Sequence, residues 1–294
     1  MKPPRPSLLA LALAASVPAA GAHAVDYQLF TVKGAELTIA RDFAPGGRVV
    51  GYTMSKSAVL KGFEMTRTGR SSSFAVDGAL STTPYASSGS SVLGQATLDF
   101  SLSGTHGFVL AQDGTVTLID VPGGSSTAVY GMNAAGTIVG SFAPPSGAEE
   151  SGFVLAGGSY TRYDVPGAFD TDLSGITDAG VLIGSYRLWS NGNVGQPFVG
   201  FIDDGHARTD VRVPGAFDTV LTGINAQGWL CGYFDVAGTQ GFKGYVFDGS
   251  TYTQIAPPGA TSTYVWHLRD DGRVVGFSYF ADGSEASFIA TLHD

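Results

Sequence analysis

Short apolar runs recur along the chain, and each is bounded by glycine, proline or a polar turn. The clearest stretch begins with a β-branched run at residues 137–142, and a second apolar run at 152–155 follows a polar loop. Residues 159–165 then alternate between apolar and polar side chains, as a strand with one buried face does. A proline and a glycine break this strand, and residues 171–176 form a fourth run. The pattern predicts four short antiparallel strands within each stretch of about 45 residues.

This four-strand pattern repeats six times. A G-x-N/T-x-x-G-x-x-V/I/C-G segment or a weaker copy occurs once in each repeat, with final glycines 43 to 48 residues apart at Gly51, Gly94, Gly140, Gly184, Gly232 and Gly276. A V-P-G-A-like turn keeps the same phase, with its glycine at Gly34, Gly78, Gly123, Gly167, Gly215 and Gly259. A small residue before phenylalanine recurs as well, at Phe63, Phe108, Phe153, Phe198 or Phe201, Phe242 and Phe288. Three landmarks with one period predict a repeat architecture that covers nearly the whole chain.

Four antiparallel strands in a unit of this length are typical of a β-propeller blade. The chain starts with a third-and-fourth-strand pair, residues 27–32 and 36–43, and finishes with a first-and-second-strand pair, residues 273–277 and 286–292. Pairing these two halves would remove exposed strand edges. We therefore expect an all-β fold, a six-bladed β-propeller whose last blade is closed by both termini. The alternative is an open β-solenoid, in which the termini lie far apart.

The repeats resemble the HAF-repeat family of extracellular bacterial proteins, in which a G-x-N-x-x-G-x-x-V-G segment alternates with a His-Ala-Phe-like step. That step reads His106-Gly107-Phe108 at its closest, and departs to Ser151-Gly152-Phe153, Gln240-Gly241-Phe242 and Ala286-Ser287-Phe288. The resemblance covers about residues 27–292. It implies an extracellular, propeller-like protein and supplies no shared catalytic motif.

The first residues of the chain have the features of an export signal. Lys2 and Arg5 precede an apolar run at 8–20, and Ala22-His23-Ala24 forms an A-x-A cleavage site. We expect residues 1–24 to be a removed signal peptide and residues 25–294 to be a single propeller domain, located in the periplasm or outside the cell. No later run has the length needed to span a bilayer.

Charge and motif content exclude several functions. Loss of Lys2 and Arg5 takes the formal charge from −9 to −11, which argues against nucleic-acid binding and against anionic membrane surfaces. No zinc, phosphate-binding or serine-hydrolase motif is present, so we expect no metal and no cofactor. Cys231 is the only cysteine, and it stands where other repeats place Val or Ile, so a small buried hydrophobic residue is expected. We expect a monomer.

The candidate site comes from the positions where the repeat is broken. Nine residues before the final glycine, three copies keep glycine and three carry a polar side chain: Asp42, Tyr85 and His267. In a closed ring these three residues lie on consecutive blades, and Arg41 and Trp266 precede two of them. Such a cluster predicts a catalytic group of His267, Asp42 and Tyr85 with Arg41 and Trp266 as ligand-binding residues. The structural alternative is that these side chains form hydrogen bonds between blades.

Two further aromatic residues, Tyr186 and Trp189, lie at a longer loop over 187–196 and are candidates for stacking on a sugar ring. The sequence favours a binding module for a glycan or an extracellular protein. The alternative is a hydrolase or lyase that cleaves an extracellular polysaccharide or ester. A third hypothesis is a purely structural component of a surface array.

Overall fold

A computed structural model of the chain describes residues 23–101, 104–145, 149–189 and 196–293, so the predicted signal peptide lies almost wholly outside the described residues. These described residues form β-strands and one short 3-10 turn, Pro45–Gly47. The strands are β1 (Ala24–Phe30), β2 (Leu37–Ala44), β3 (Arg48–Met54), β4 (Leu60–Met65), β5 (Ser71–Phe74), β6 (Ser81–Ser88), β7 (Ser91–Thr97), β8 (Thr105–Leu110), β9 (Val116–Ile119), β10 (Ser126–Met132), β11 (Ile138–Ala143), β12 (Ser151–Ala156), β13 (Ser159–Tyr163), β14 (Ala168–Ile176), β15 (Leu182–Leu188), β16 (Val199–Asp203), β17 (Arg208–Val211), β18 (Thr219–Ile224), β19 (Leu230–Phe234), β20 (Lys243–Phe247), β21 (Tyr252–Ile255), β22 (Ala260–Leu268), β23 (Arg273–Phe280) and β24 (Glu285–His293). In this part of the chain we find no helix with the length and hydropathy to cross a membrane.

The strands are grouped into antiparallel units of four, which form five sheets. Three sheets are single units, with the orders β2-β3-β4-β5, β14-β15-β16-β17 and β18-β19-β20-β21. A fourth sheet has the order β1-β24-β23-β22 and contains both ends of the described chain. The remaining sheet has eight strands because one parallel bridge, Ser126 to Thr105, joins the units β6–β9 and β10–β13. The prediction of an all-β fold built from four-stranded units is confirmed.

The strand that follows each proline-glycine turn begins a new unit. Residues 171–176 were expected to be the fourth strand of their unit, but β14 pairs with β15 and starts the next sheet. The sheet with both chain ends therefore takes β1 from one end and three strands from the other, with Ala24 opposite His293 and Phe30 opposite Ser287. The expectation of two strands from each end is wrong, because β2 pairs with β3 and not with β1.

Neighbouring units pack against each other in chain order. The contacts are β3 with β6, β7 with β10, β11 with β14, β15 with β18 and β19 with β22. Strands β23 and β24 of the last unit contact β2 of the first. The first strands of all six units, β2, β6, β10, β14, β18 and β22, line one common cavity.

Each final glycine of the repeat pairs with a fully buried aromatic residue on the next strand. The pairs are Gly51 with Phe63, Gly94 with Phe108, Gly140 with Phe153, Gly184 with Phe201, Gly232 with Tyr245 and Gly276 with Phe288. A Cβ atom on Gly140 would lie 1.9 Å from the Ala128 carbonyl oxygen, so glycine is required for the close approach. Phe201 is therefore the repeat residue of its unit and not Phe198, and the expectation of Phe242 is wrong because Tyr245 takes that place.

The turn before each first strand is fixed by a glycine and a threonine. All six turn glycines have φ between 75° and 86°, the left-handed region that glycine adopts without strain. In five units a threonine hydroxyl accepts the backbone N–H six residues earlier: Thr38 from Val32, Thr82 from Val76, Thr127 from Val121, Thr171 from Val165 and Thr219 from Val213. The sixth unit has Pro257 at the donor position, and its Thr263 lies 3.0 Å from the Ser278 hydroxyl. These bonds satisfy N–H groups that would otherwise be buried without partners.

Candidate ligand-binding cavity

The cavity between the first strands has a volume of about 480 Å³, and we call it the central cavity. Every one of the six units contributes side chains or backbone to its wall. Sites for small ligands commonly occupy about 300 to 1,000 Å³ and combine an apolar wall with a few polar groups. The central cavity is therefore large enough for a ligand of one or two sugar rings.

Each first strand has a β-bulge at the cavity wall. The pairing with the second strand skips one residue, for example between Ala40 and Asp42 in β2. The six skipped residues all line the central cavity: Arg41, Tyr85, Tyr130, Ser174, Thr222 and Trp266. Because a bulge re-aims the side chain of the extra residue, it accounts for this ring of side chains around the cavity.

The strand register changes the alignment of Tyr85. Pro84 pairs with Gly94 and Ala86 with Leu93, so Tyr85 is the bulge residue of its unit, equivalent to Arg41 and Trp266. The hairpin between β6 and β7 is one residue shorter than the corresponding hairpins. Counting nine residues back from the final glycine therefore reaches the bulge in this unit and the following residue in the others. The expected equivalence of Tyr85 with Asp42 and His267 is wrong.

One side of the central cavity is a continuous wall of rings around a cation. The Arg41 guanidinium lies 3.7 Å from the ring centroid of Trp266 and 4.9 Å from that of Tyr85. The Tyr85 ring is followed by Tyr130, with 5.1 Å between the centroids. On the opposite side the bulge residues are small, and the hydroxyls of Ser174 and Thr222 donate to the backbone carbonyls of Leu221 and Val265. The free volume thus faces the aromatic and cationic wall.

Arg41 has no anionic partner among the described residues. It makes no hydrogen bond or ion pair there, and its Nε is buried without a partner. The indole Nε1 of Trp266 is also buried without a partner. Burial raises the pKa of Tyr85 and of Tyr233 to about 12, although the positive charge of Arg41 opposes this rise. The phenols around the cation therefore stay neutral and do not balance its charge.

His267 and Asp42 meet on the wall of the central cavity. His267 Nδ1 lies 3.3 Å from Asp42 Oδ1. Asp42 is only 2% exposed, and its carboxylate accepts the backbone N–H of Phe43 at 2.6 Å and that of Ser87 at 2.6 Å. The Ser87 hydroxyl donates to the Phe43 carbonyl at 2.9 Å and also lies 3.2 Å from the Asp42 carboxylate. Asp42 therefore connects three neighbouring units, in agreement with the alternative that these side chains form contacts between units.

The Tyr85 hydroxyl is engaged elsewhere, since it donates to Gln95 Oε1 at 2.9 Å. The structure thus brings all five predicted residues of the broken repeat to one cavity, namely Asp42, Tyr85, His267, Arg41 and Trp266. It does not join the Tyr85 hydroxyl to the histidine–aspartate pair.

Asp172 also lies at the central cavity, although the interrupted repeat positions did not predict it. It lines the central cavity from β14, and its Oδ1 is buried without a hydrogen-bond partner. Burial raises the pKa of Asp172 well above its usual value, and the nearby Glu150 carboxyl raises it further. The same position in the other units holds no charged residue: Ile39, Thr83, Ala128, Val220 and Tyr264. Comparing this position across the six repeats identifies Asp172 as the exception.

The two loop aromatics lie away from the central cavity. Tyr186 belongs to β15, is 4% exposed, and its hydroxyl donates to Asp210 Oδ2 at 2.9 Å. Trp189 is 51% exposed, and its ring lies nearly perpendicular to the Phe169 ring, with 4.6 Å between the centroids. Neither residue lines the central cavity, and much of the predicted loop, residues 190–195, lies outside the described residues.

Comparison with known proteins places the fold among β-propellers. No protein-family model matches the chain, and no curated protein matches it, so the HAF-repeat resemblance stays a prediction. TolB from Acinetobacter baumannii superposes with a TM-score of 0.58 at 12% identity, over 83% of this chain and 63% of TolB. AofleA from Arthrobotrys oligospora gives 0.56 at 13% identity, over 90% of this chain and 86% of AofleA.

The β-propeller domain of the Trilobed protease from Pyrococcus furiosus gives a TM-score of 0.55 at 11% identity, over 88% of this chain and 79% of that one. That domain is described as having an open velcro topology, whereas here β1 pairs with β24. At these identities the likeness shows the fold alone. The chain spans less than two thirds of the A. baumannii TolB that it matches.

Proposed function

We propose that the six units form a closed six-bladed propeller and that its central cavity binds a small glycan, which makes this chain an extracytoplasmic binding module. The contacts of each unit with the next, and of the last with the first, support the ring. The pairing of β1 with β24 supports closure by both chain ends. The predicted leader supports export, which fractionation of cells that produce the full chain tests directly.

The observation that carries the binding function is the unpaired Arg41 guanidinium, stacked on rings at the wall of a ligand-sized cavity. A sugar presents C–H faces to aromatic rings and hydroxyl groups to polar atoms. The central cavity offers both, with rings from Tyr52, Tyr233 and the cavity wall described above. Burial raises the pKa of Asp172 and so favours its neutral carboxyl, a form that can donate as well as accept a hydrogen bond.

A glycan array tests this proposal when it is combined with a variant that fills the cavity. Ser174→Trp places an indole at a bulge position on the open side of the central cavity, and Thr161→Trp places the same residue on the exposed outer strand β13. We expect selective binding by the wild type and by Thr161→Trp, and none by Ser174→Trp. If all three folded proteins bind equally, the glycan site lies outside the central cavity. If the wild type binds no glycan, the partner is to be sought among proteins by affinity capture.

A hydrolase or lyase is the second candidate, because one observation favours it. His267 lies 3.3 Å from Asp42, and a histidine oriented by a carboxylate is a common general base. The pKa of Tyr85, raised to about 12 by burial, and its bond to Gln95 disfavour Tyr85 as a partner in proton transfer. Release of reducing ends or of an ester alcohol from bound ligands tests the activity. Turnover that His267→Ala abolishes and that substitution of the exposed His206 by alanine leaves intact would establish this candidate.

A further inference from the structure

We infer that the ligand of the central cavity carries a carboxylate, in the manner of a uronic acid sugar, and that Arg41 is the residue that binds this carboxylate. The inference rests on the proposed function and adds the charge class of the ligand. Its starting point is a charge without a counter-charge in a chain of net charge −9.

Arg41 differs from most other arginines of the described chain. Arg48 pairs with Glu64, Arg187 with Asp170, Arg162 with Asp164, Arg208 with Asp210, and Arg269 and Arg273 with Asp271. Arg41 has ring contacts and no ion pair among the described residues, and it is half-buried at the wall of a cavity, where its charge is partly removed from water. A desolvated cation without an anion is costly, so an anionic ligand would gain the interaction that the protein leaves open.

The two carboxyl groups at the cavity do not fill this role. Asp42 accepts hydrogen bonds from Phe43 and Ser87 and faces His267, and it forms no ion pair with Arg41. Asp172 also forms no ion pair with Arg41, and its buried position beside Glu150 favours the neutral acid. A neutral Asp172 has the further effect that it does not repel an incoming anion.

The geometry of Arg41 fits a planar carboxylate. The Arg41 guanidinium lies over the Trp266 and Tyr85 rings, and its N–H groups have no hydrogen-bond partner among the described residues. A guanidinium edge matches the two oxygens of a carboxylate in a bidentate arrangement. The Trp266 indole N–H is a neighbouring donor without a partner. Arg41 is the one Lys or Arg side chain among the described residues that line the cavity, so a single negative charge matches it better than a dianionic phosphate.

Calorimetric titration with matched sugars tests the inference. The probes are galacturonate against galactose and glucuronate against glucose, with acetate as a carboxylate that lacks a sugar. For the wild type we expect at least one uronate to bind about tenfold or more tightly than its neutral counterpart, with affinity that falls as salt rises. Arg41→Gln should abolish this preference, whereas substitution of the exposed Arg162 by glutamine should retain it. Thermal melts of both variants check that they are folded.

The outcomes separate the inference from the function on which it rests. If neutral sugars bind as tightly as the uronates, or if the preference survives in Arg41→Gln, the inference is wrong and glycan binding stands. If acetate binds as tightly as the uronates, a carboxylate site is retained and the sugar class is overturned. If no sugar binds to the wild type, and the array also gives no binding, the proposed function itself fails. Tighter binding of sugar phosphates or sulfates than of uronates would contradict the assignment to a carboxylate.

Discussion

Substitution of Gly140 by alanine is expected to destabilise the protein far more than its small size suggests. The new Cβ would lie 1.9 Å from the Ala128 carbonyl oxygen and 2.9 Å from the Phe153 ring, whereas real Cβ contacts are essentially never shorter than 3.0 Å. Strands β10 and β11 would have to move apart by about 1 Å. Overpacking of this kind costs about 1 to 3 kcal/mol, and each weakened ladder hydrogen bond adds about 1 kcal/mol. We expect a total loss of about 3 kcal/mol or more.

Gly114→Ala is the matched control for this experiment. Unlike Gly140, Gly114 has a positive φ, of 88°, and its Cβ would meet no atom within 4 Å. Its cost is the left-handed conformation alone, about 1 to 2 kcal/mol. Denaturant unfolding followed by tryptophan fluorescence gives both free energies of unfolding, and the melting temperature should fall by about 2 to 4 °C per kcal/mol lost. If Gly140→Ala costs no more than Gly114→Ala, the account of the repeat glycine as a site of close approach is refuted.

Three other predictions follow from burial and strand pairing. The pKa of Asp172 is raised in the folded protein, so the stability gained from its neutral form is complete below the usual carboxyl pKa of about 3.9 and is lost as pH rises through the folded value. Asp172→Asn should therefore melt at a higher temperature than the wild type by a margin that grows with pH, and a margin constant from about pH 4 to pH 9 would contradict this. Cys231 is buried, and burial raises the pKa of its thiol to about 12. A thiol reagent should therefore label Cys231 only after unfolding in guanidinium chloride. Fast labelling of the native protein would be inconsistent with the structure. Removal of residues 1–30 deletes β1 and exposes the edge of β24, so light scattering should show that the protein associates. Removal of residues 1–22 should cause no association, because it leaves β1 in place. If the protein without residues 1–30 is monomeric, β1 does not protect this edge.

The sequence predicted the repeat well because the repeat depends on local requirements. Turn glycines such as Gly123 need positive φ, and final glycines such as Gly140 must sit beneath a ring, so both recur at visible intervals. Aromatic identity is less strict, since Tyr245 fills the place of a phenylalanine and its hydroxyl reaches the Val220 carbonyl at 3.4 Å. The sequence therefore predicted one buried aromatic residue in each unit, but it assigned Phe242 in the unit where the structure has Tyr245.

The candidate site was partly predictable, because several residues that line the central cavity interrupt an otherwise regular repeat. Asp42, Arg41, His267 and Trp266 were found in this way, and they meet at the central cavity. The bulge that aims Arg41 and Trp266 is a property of strand pairing, which the sequence does not display, and a hairpin shorter by one residue shifted the alignment of Tyr85. Asp172 went unnoticed because it lies within a strand that alternates as any half-buried strand does.

Ligand binding in the central cavity can be followed through the indole N–H resonances in an NMR titration. The chain has three tryptophans, so the spectrum should contain three such peaks, which single substitutions by phenylalanine assign. Trp266 lines the central cavity, Trp189 lies at the outer loop, and Trp229 packs beside His23. Titration with the strongest ligand from the array should shift the Trp266 peak and leave the other two in place. A shift confined to Trp189 would place the site at the loop and contradict the account.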